Sequence, residues 1–383
     1  MILHLHHRYR TLGGEERAIA ALRRLTEDRL GEATALLERD SADVGPLRAV
    51  AGLVRGGLDP RDVAREVDRT GARIVHAHNV HPTFGVRALR AARDAGATVV
   101  LQLHNYRLVC AVGTCVRDGD DCTACHGRDL RPGLRHRCRG GRAEATAYAV
   151  GLARQQAGLL AAADLVVVPS DAALERLRTL GVDLPDDRVA VVGHPVDAGP
   201  RPADGADRVR SGGPAVVAGR LAPEKGADVA IAAARITGRD LVVANVGPDE
   251  AALRTAAADL PHVRFVGRLA PDELEALRAS ASVELVPSLA HETFGLAAAE
   301  AMLRGLPVVA SDVGALRELV PDDARVPAGD PVALAAAWVR VAADPGAADR
   351  QRDRAAARTD PTVLATRLAA AYAGAVEAAG RRP

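Results

Sequence analysis

Glu292 and Glu300 are the residues whose types and spacing most directly suggest chemistry. The stretch 294–304 between and beyond them is rich in Ala, Leu, Met and Glu, all strong helix formers. A helix from Phe294 to Arg304 is expected, stopped by Gly305 and followed by an apolar strand at 306–310. At about 1.5 Å per residue, the two carboxylates then sit roughly 10 Å apart along the axis. The free N–H groups of Phe294, Gly295 and Leu296 would make an anion site at the positive end of the helix dipole. Carboxylate, anion cradle, carboxylate is the complement of a nucleotide sugar. One acid would hold sugar hydroxyls, the cradle the diphosphate, and the other acid the ribose diol. A surface helix with solvated glutamates would explain either acid alone, but not the pattern E-x7-E with Phe-Gly inside it.

Arg220 and Lys225 flank a turn in GRLAPEKG, where guanidinium and ammonium can neutralise a diphosphate. Lys225 is the sole lysine among 50 basic residues, a bias that a genome of high G+C content produces. A compact point charge retained at one position, against a flat arginine fork elsewhere, suits a phosphate pocket. Gly13-Gly14 follows a first apolar strand and precedes a helix, so the backbone there can approach an anion; a plain turn is the alternative. His104 ends the strand TVVLQLH, with His78 and His81 as weaker candidates at an earlier strand end.

All five cysteines fall between positions 110 and 138. Cys122 and Cys125 form a C-x-x-C, and with Cys110 and Cys138 they make four thiols able to wrap tetrahedral zinc. His126 and His136 are alternative ligands, and Cys115 is left over. Reduced thiols, or a redox role, are the competing readings, and a cytosolic chain disfavours disulfides. Four protein ligands leave no open position, so such a zinc would be structural. Asp118-Gly119-Asp120 has the look of a metal-binding D-x-D, but Asp-Gly reads better as a turn.

Around these residues apolar strands alternate with helical stretches. MILHLH, ARIVHAHNV, ATVVLQLHN, DLVVVPS and RVAVVG in the first half read as strands, as do AVVAG, LVVAN, HVRFVG, VELVPS and LPVVA in the second. This rhythm predicts parallel sheets covered by helices on both faces, with ligands at the carboxyl ends of the strands. Residues 195–214 are rich in Pro, Gly and Asp and read as a linker. The expected organisation is a first domain at 1–198 with a cysteine-rich insert at 108–142, a linker at 199–213, a second domain at 214–360, and a terminal helix at 361–383.

HETFGLAAAEAM resembles the donor-site segment of retaining, nucleotide-sugar-dependent glycosyltransferases of family 4, and GRLAPEKG resembles that family's G-R-x-x-x-E-K-G loop. HNYRLVC with its downstream CTAC and RHRC resembles a subgroup carrying a cysteine-rich loop. The resemblance implies an α/β architecture of the GT-B type: two Rossmann-like domains facing across a cleft, with the C-terminal helix crossing back to the first. It implies that Glu292 faces the donor sugar and Glu300 the ribose. His104 would lie near sugar and acceptor, Gly13 and Gly14 would face the diphosphate, and Gly267, Arg268 and Leu269 the base. Attack would come from the front side, with the departing phosphate taking the acceptor's proton and no cofactor needed for the reaction. The family has Asn where this chain has His194, so no role carries over to that position.

The 383 residues carry a net charge of +1 and only 2% aromatics, which argues against a nucleic-acid partner. No apolar run approaches the ~20 residues of a spanning helix, and the first residues lack a signal peptide's features. A cytoplasmic enzyme is expected, touching a membrane surface if its acceptor is a lipid. The donor would be a UDP-, GDP- or ADP-sugar, and the acceptor hydroxyl that of a saccharide, a lipid-linked sugar or a small natural product. Oligomeric state is not legible. The competing functions are a nucleotide-sugar epimerase of the same fold and a zinc-stabilised binding module.

Overall fold

The computed structural model describes residues 1–9, 13–196 and 212–381. Most of the expected linker at 199–213 therefore lies outside the described residues. The chain divides into two compact units. The first comprises 1–115, 122–195 and 361–383, and the second 116–121 and 196–360.

Strands β1 (Ile2–Arg8), β2 (Thr34–Asp40), β3 (Ile74–Ala77) and β4 (Thr98–Gln102) belong to the first unit. A short antiparallel hairpin of β5 (Val116–Arg117) and β6 (Asp120–Asp121) groups with the second unit. The first unit then resumes with β7 (Leu165–Val168) and β8 (Val189–Val191). Its sheet runs β2-β1-β3-β4-β7-β8, and every pairing is parallel. The expected turn at Asp118-Gly119 is the hairpin's tip, both residues having positive φ.

The second unit holds β9 (Ala215–Val217), β10 (Leu241–Ala244), β11 (Val263–Gly267), β12 (Val283–Val286), β13 (Val308–Ser311) and β14 (Arg325–Val326). Their order is β11-β10-β9-β12-β13-β14, again parallel throughout. This is the doubly wound order in which the chain reverses direction between its first and fourth strands, and ligands collect in the crevice at that point. Here the crevice lies between the loops that follow β9 and β12.

Strand sequences explain the layers. Leu-Val-Val-Ala and Val-Val-Ala-Ser are apolar on both faces because helices cover both, and all eight residues are buried. The terminal helix, Pro361–Gly380, groups with the first unit and buries Leu364, Leu368 and Tyr372 against Ile2, Ile74 and Val100 of β1, β3 and β4. Its burial of these side chains is the return to the first unit expected from the resemblance.

The helix expected from Phe294 begins at Leu296 and ends at Leu303. Gly295 is the reason: it sits at φ 89°, outside helical backbone, and forms the cap. Two other glycines set the crevice. Gly226 has φ 65°, and a Cβ there would stand 2.0 Å from the Pro287 carbonyl oxygen. Gly314 has φ 50°, and its Cβ would stand 2.5 Å from the Glu292 carbonyl oxygen. Gly226→Ala is expected to cost more than about 1 kcal/mol of stability, through both backbone strain and clash. Chemical denaturation of the two chains checks this: an unchanged midpoint would contradict the close approach.

Candidate donor site

The loop after β9 and the loop after β12 are stitched together by backbone. The Glu224 carbonyl accepts from the N–H of Leu289 at 2.9 Å and of Ala290 at 3.2 Å. Lys225 closes a short 3₁₀ turn, Pro223–Lys225, capped by Gly226. The stitching carries Lys225 to Glu292, whose Oε1 lies 2.7 Å from the lysine Nζ. Ser288 Oγ donates to the same oxygen at 2.7 Å. Burial opposes ionisation of Glu292. Lys225, Ser288 and Arg220 outweigh it, and the carboxyl is held below its ordinary range. Arg220 pairs with Glu224, four residues on. The Ala315 N–H donates to the Glu292 carbonyl at 2.9 Å, so the backbone of this residue is fixed as well.

The resulting site holds a cation beside an ionised acid, next to a helix N-terminus. With the helix starting at Leu296, the N–H groups lacking an intrahelical acceptor are those of the cap residue Gly295 and of Leu296, Ala297 and Ala298, so of the expected Phe294, Gly295 and Leu296 it is Phe294 that falls outside the set. Phe294 is instead buried in the core of the second unit.

Glu300 is not a solvated surface acid: it is 8% exposed. Its Oε2 accepts from Arg278 Nη1 at 3.1 Å, while Arg278 also donates to both oxygens of Glu284, at 2.8 and 3.0 Å. Burial works against the charged guanidinium, but Glu284 and Glu300 hold Arg278 above its ordinary value. Burial pushes the Glu284 carboxyl up against the pull of Arg278. Sequence reasoning missed this pair. The signal was present, since Glu284 interrupts the apolar run Val-Glu-Leu-Val, and a charge inside a buried strand needs a partner. Gly267, Arg268 and Leu269 form the exit from β11, where the Asn245 N–H donates to the Gly267 carbonyl at 2.6 Å.

In the first unit Gly13 caps the helix Gly14–Leu30, and its N–H already donates to Glu16 Oε2 at 2.9 Å. Glu15 accepts from the side-chain amides of Asn79 and of Asn105, the latter at 2.8 Å. The glycine loop thus ends in two carboxylates that occupy the helix's positive end. His104 lies in a buried array that sequence reasoning did not foresee. Its Nε2 is 2.9 Å from His78 Nδ1, and its ring stacks 5.2 Å from that of His194. Burial depresses His4, His81, His104 and His194 to about 3 and His7 to about 4, so they are neutral at neutral pH.

None of the five cysteines is joined in a disulfide. Cys125 has the sulfurs of Cys110, Cys138 and Cys122 as charge neighbours, and burial with those neighbours pushes its thiol up to about 11. Cys110 goes the other way, to about 5, drawn down by the Cys115 thiol and by backbone N–H groups of Cys115, Gly113 and Val112. The Gly113 N–H lies 3.4 Å from its sulfur. Among the described residues, the group of three or more ligands drawn tightly enough for an ion is His4, His76 and His78, not the cysteines.

Neutral buried histidines set a pH dependence. The unfolded chain takes up protons on them below about pH 6.5 and the folded chain does not, so stability is present above that pH and lost below it. Each such histidine contributes a slope of about 1.4 kcal/mol per pH unit. Urea midpoints should therefore fall steeply from pH 6.5 to 5, and a flat profile there would contradict the buried neutral array.

Residues 26–199 match the model of Glycosyltransferase Family 4, and residues 214–344 that of Glycosyl transferases group 1. A GDP-mannose-dependent alpha-(1-6)-phosphatidylinositol dimannoside mannosyltransferase of Mycobacterium tuberculosis is 41% identical over 147 residues, 37% of each chain. A GDP-mannose-dependent alpha-mannosyltransferase of Mycolicibacterium smegmatis is 36% identical over 189 residues, 46% of this chain and 48% of that one. The matched region spans about a quarter to half the length of such curated relatives. Among solved structures, HepE of Anabaena in complex with UDP superposes with a TM-score of 0.66 at 19% identity, covering 97% of this chain and 99% of that one. Sucrose-phosphate synthase of Thermosynechococcus elongatus gives 0.70 at 19% identity, covering 97% and 98%. No described helix is long and apolar enough to cross a membrane. The chain has the fold of the GT-B glycosyltransferases, its first part matching the model of Glycosyltransferase Family 4 and its second that of Glycosyl transferases group 1.

Proposed function

We propose that this protein is a retaining glycosyltransferase that moves a hexose from a nucleoside diphosphate sugar to an acceptor hydroxyl. The observation that carries the reading is the Lys225–Glu292 pair at the point where the second sheet reverses its strand order. A bound diphosphate competes with Glu292 for the Lys225 ammonium. Lys225, Arg220 and the amides at 296–298 then meet the negative charge that grows on the leaving phosphate. Glu292, ionised and released from the lysine, faces the sugar as it gains positive character. Glu300, oriented by Arg278, accepts from the ribose diol, and the loop at 267–269 lies beside the base. His104, buried and neutral, acts as a hydrogen-bonding group rather than as a charge. Attack from the leaving-group face retains the anomeric configuration, with the phosphate oxygen taking the acceptor's proton.

The relatives named as GDP-mannose-dependent and the structure holding UDP support a nucleotide-sugar donor and leave the base open between guanine and uracil. A thermal-shift panel of GDP, UDP, ADP and their sugars decides between them: one series should raise the melting temperature, by about 2.7 kcal/mol of stabilisation at a hundredfold excess over Kd. Lys225→Ala and Glu300→Gln should each abolish that shift and lower donor turnover at least tenfold, a loss of about 1.4 kcal/mol or more. Turnover at the parent rate in both would overturn the site assignment.

We also read the four thiols of Cys110, Cys122, Cys125 and Cys138 as a structural zinc site in a reducing, cytoplasmic setting. Support comes from the charge coupling of Cys125 to Cys110, Cys122 and Cys138 and from the backbone N–H groups directed at Cys110, which stabilise a thiolate; the four sulfurs would have to draw closer to one another to close around the ion. Zinc measured on protein purified without chelator should fall by one equivalent in the Cys122→Ser, Cys125→Ser double variant. An equal zinc content in both would end the idea.

A further inference from the structure

The face of the first sheet beneath the terminal helix changes character along its strands. Ile2 and Ile74 begin it in an apolar cluster with Leu364 and Leu368. Side chains alternate along a strand, so the next residues on that face are His4 and His6 on β1, and His76 and His78 on and just beyond β3. His4 and His76 are register partners in adjacent strands. His4, His76 and His78 are each at most 1% exposed.

One nitrogen from each of these three rings lies within 4.8 Å of the others'. In two of the three rings, His76 and His78, the second nitrogen is arranged as metal-bound histidines require, with the ring's far side held by a hydrogen-bond partner. His76 Nδ1 is 2.7 Å from the Tyr372 hydroxyl, which leaves Nε2 for another bond. His78 Nδ1 is 2.9 Å from His104, leaving Nε2, and that atom faces His4 Nδ1 at 3.0 Å. This separation is close to the roughly 3.3 Å edge of a tetrahedron with zinc–nitrogen bonds of about 2.0–2.1 Å. Meanwhile His76 Nε2 is buried and makes no hydrogen bond of good geometry, the Gln102 side chain being its neighbour. An unsatisfied buried polar atom costs about 1–3 kcal/mol, so His76 Nε2, a member of the three-histidine group, calls for a partner. Burial also keeps the rings neutral, the state in which imidazole is a ligand.

We propose that His4, His76 and His78 bind a transition-metal ion, zinc foremost, in the core of the first unit. Imidazole sets suit zinc, copper, nickel and iron, and of these zinc needs no redox partner. The His76 and His78 rings stack at 4.5 Å, so closing the set around an ion turns them about their χ angles. The ion ties β1 to β3. It also fixes the tautomer of His78, whose Nδ1–H then donates to His104.

Crystals of the full chain grown with zinc chloride, with diffraction measured above and below the zinc edge, test this. The expected result is an anomalous peak about 2.0–2.1 Å from one nitrogen of each histidine. A peak confined to the cysteines, no peak, or a buried water satisfying the same atoms without anomalous signal would overturn it. In solution, cobalt added to the Cys122→Ser, Cys125→Ser chain should give weak visible bands without thiolate charge-transfer absorption. Those bands should vanish in His76→Phe added to that background, with cooperative melting retained. Identical cobalt spectra with and without His76 would count against the site.

Discussion

The clasp between the loops after β9 and β12 is the constraint on which the candidate site depends. One carbonyl, that of Glu224, holds two amides of the partner loop, and Gly226 permits the approach because it has no Cβ. The clasp leaves Lys225 and Glu292 within bonding distance although they are far apart in the chain. A half-buried ion pair of this kind is weak evidence of stability, because desolvation offsets much of the attraction. Its better-supported consequence is positional: a single cation is held where two strands of the sheet diverge.

Behind the clasp lies a second charge group that holds its shape by a different balance. Arg278 is 2% exposed and bridges Glu284, at 0%, to Glu300, at 8%. Burial pushes the enclosed Glu284 carboxyl up against the pull of Arg278, and the neighbouring charge of Glu300 adds to it. The consequence for the site is orientation. The Glu300 oxygen taken by Arg278 orients the carboxylate, so the residue proposed to meet the ribose is an ordered group rather than a mobile side chain.

The first unit presents a different chemistry. Its strand ends carry histidines that are neutral because they are buried. At the start of its first helix, Glu16 takes the Gly13 N–H and Glu15 takes the side-chain amides of Asn79 and Asn105. The hydrogen-bonded run from His4 through His78 to His104 makes the three rings tautomerically dependent on one another. A change at one end is therefore felt at His104. The cysteine-rich insert adds a further polar knot, and its hairpin, carrying Asp121 at 3.8 Å from His291, groups with the second unit.

The strand–helix alternation, the parallel sheets and the terminal helix were legible because apolar periodicity is local information. The same is true of Lys225, Glu292 and Glu300, whose residue types and spacing stand out in a lysine-poor chain. The start of the helix at Leu296 was not legible, because Phe294 has helical propensity but is claimed by the core, and Gly295 turns the backbone the other way. The partners of the acids, Arg278 and Ser288, and the gathering of His4, His76, His78 and His104 came only from the tertiary structure. Strand order decides which residues become neighbours, and β1, β3 and β4 are brought side by side by crossovers whose register no local stretch encodes. Protonation followed the same rule: a histidine's neutrality comes from the water excluded around it, and that exclusion exists only once the sheet is covered.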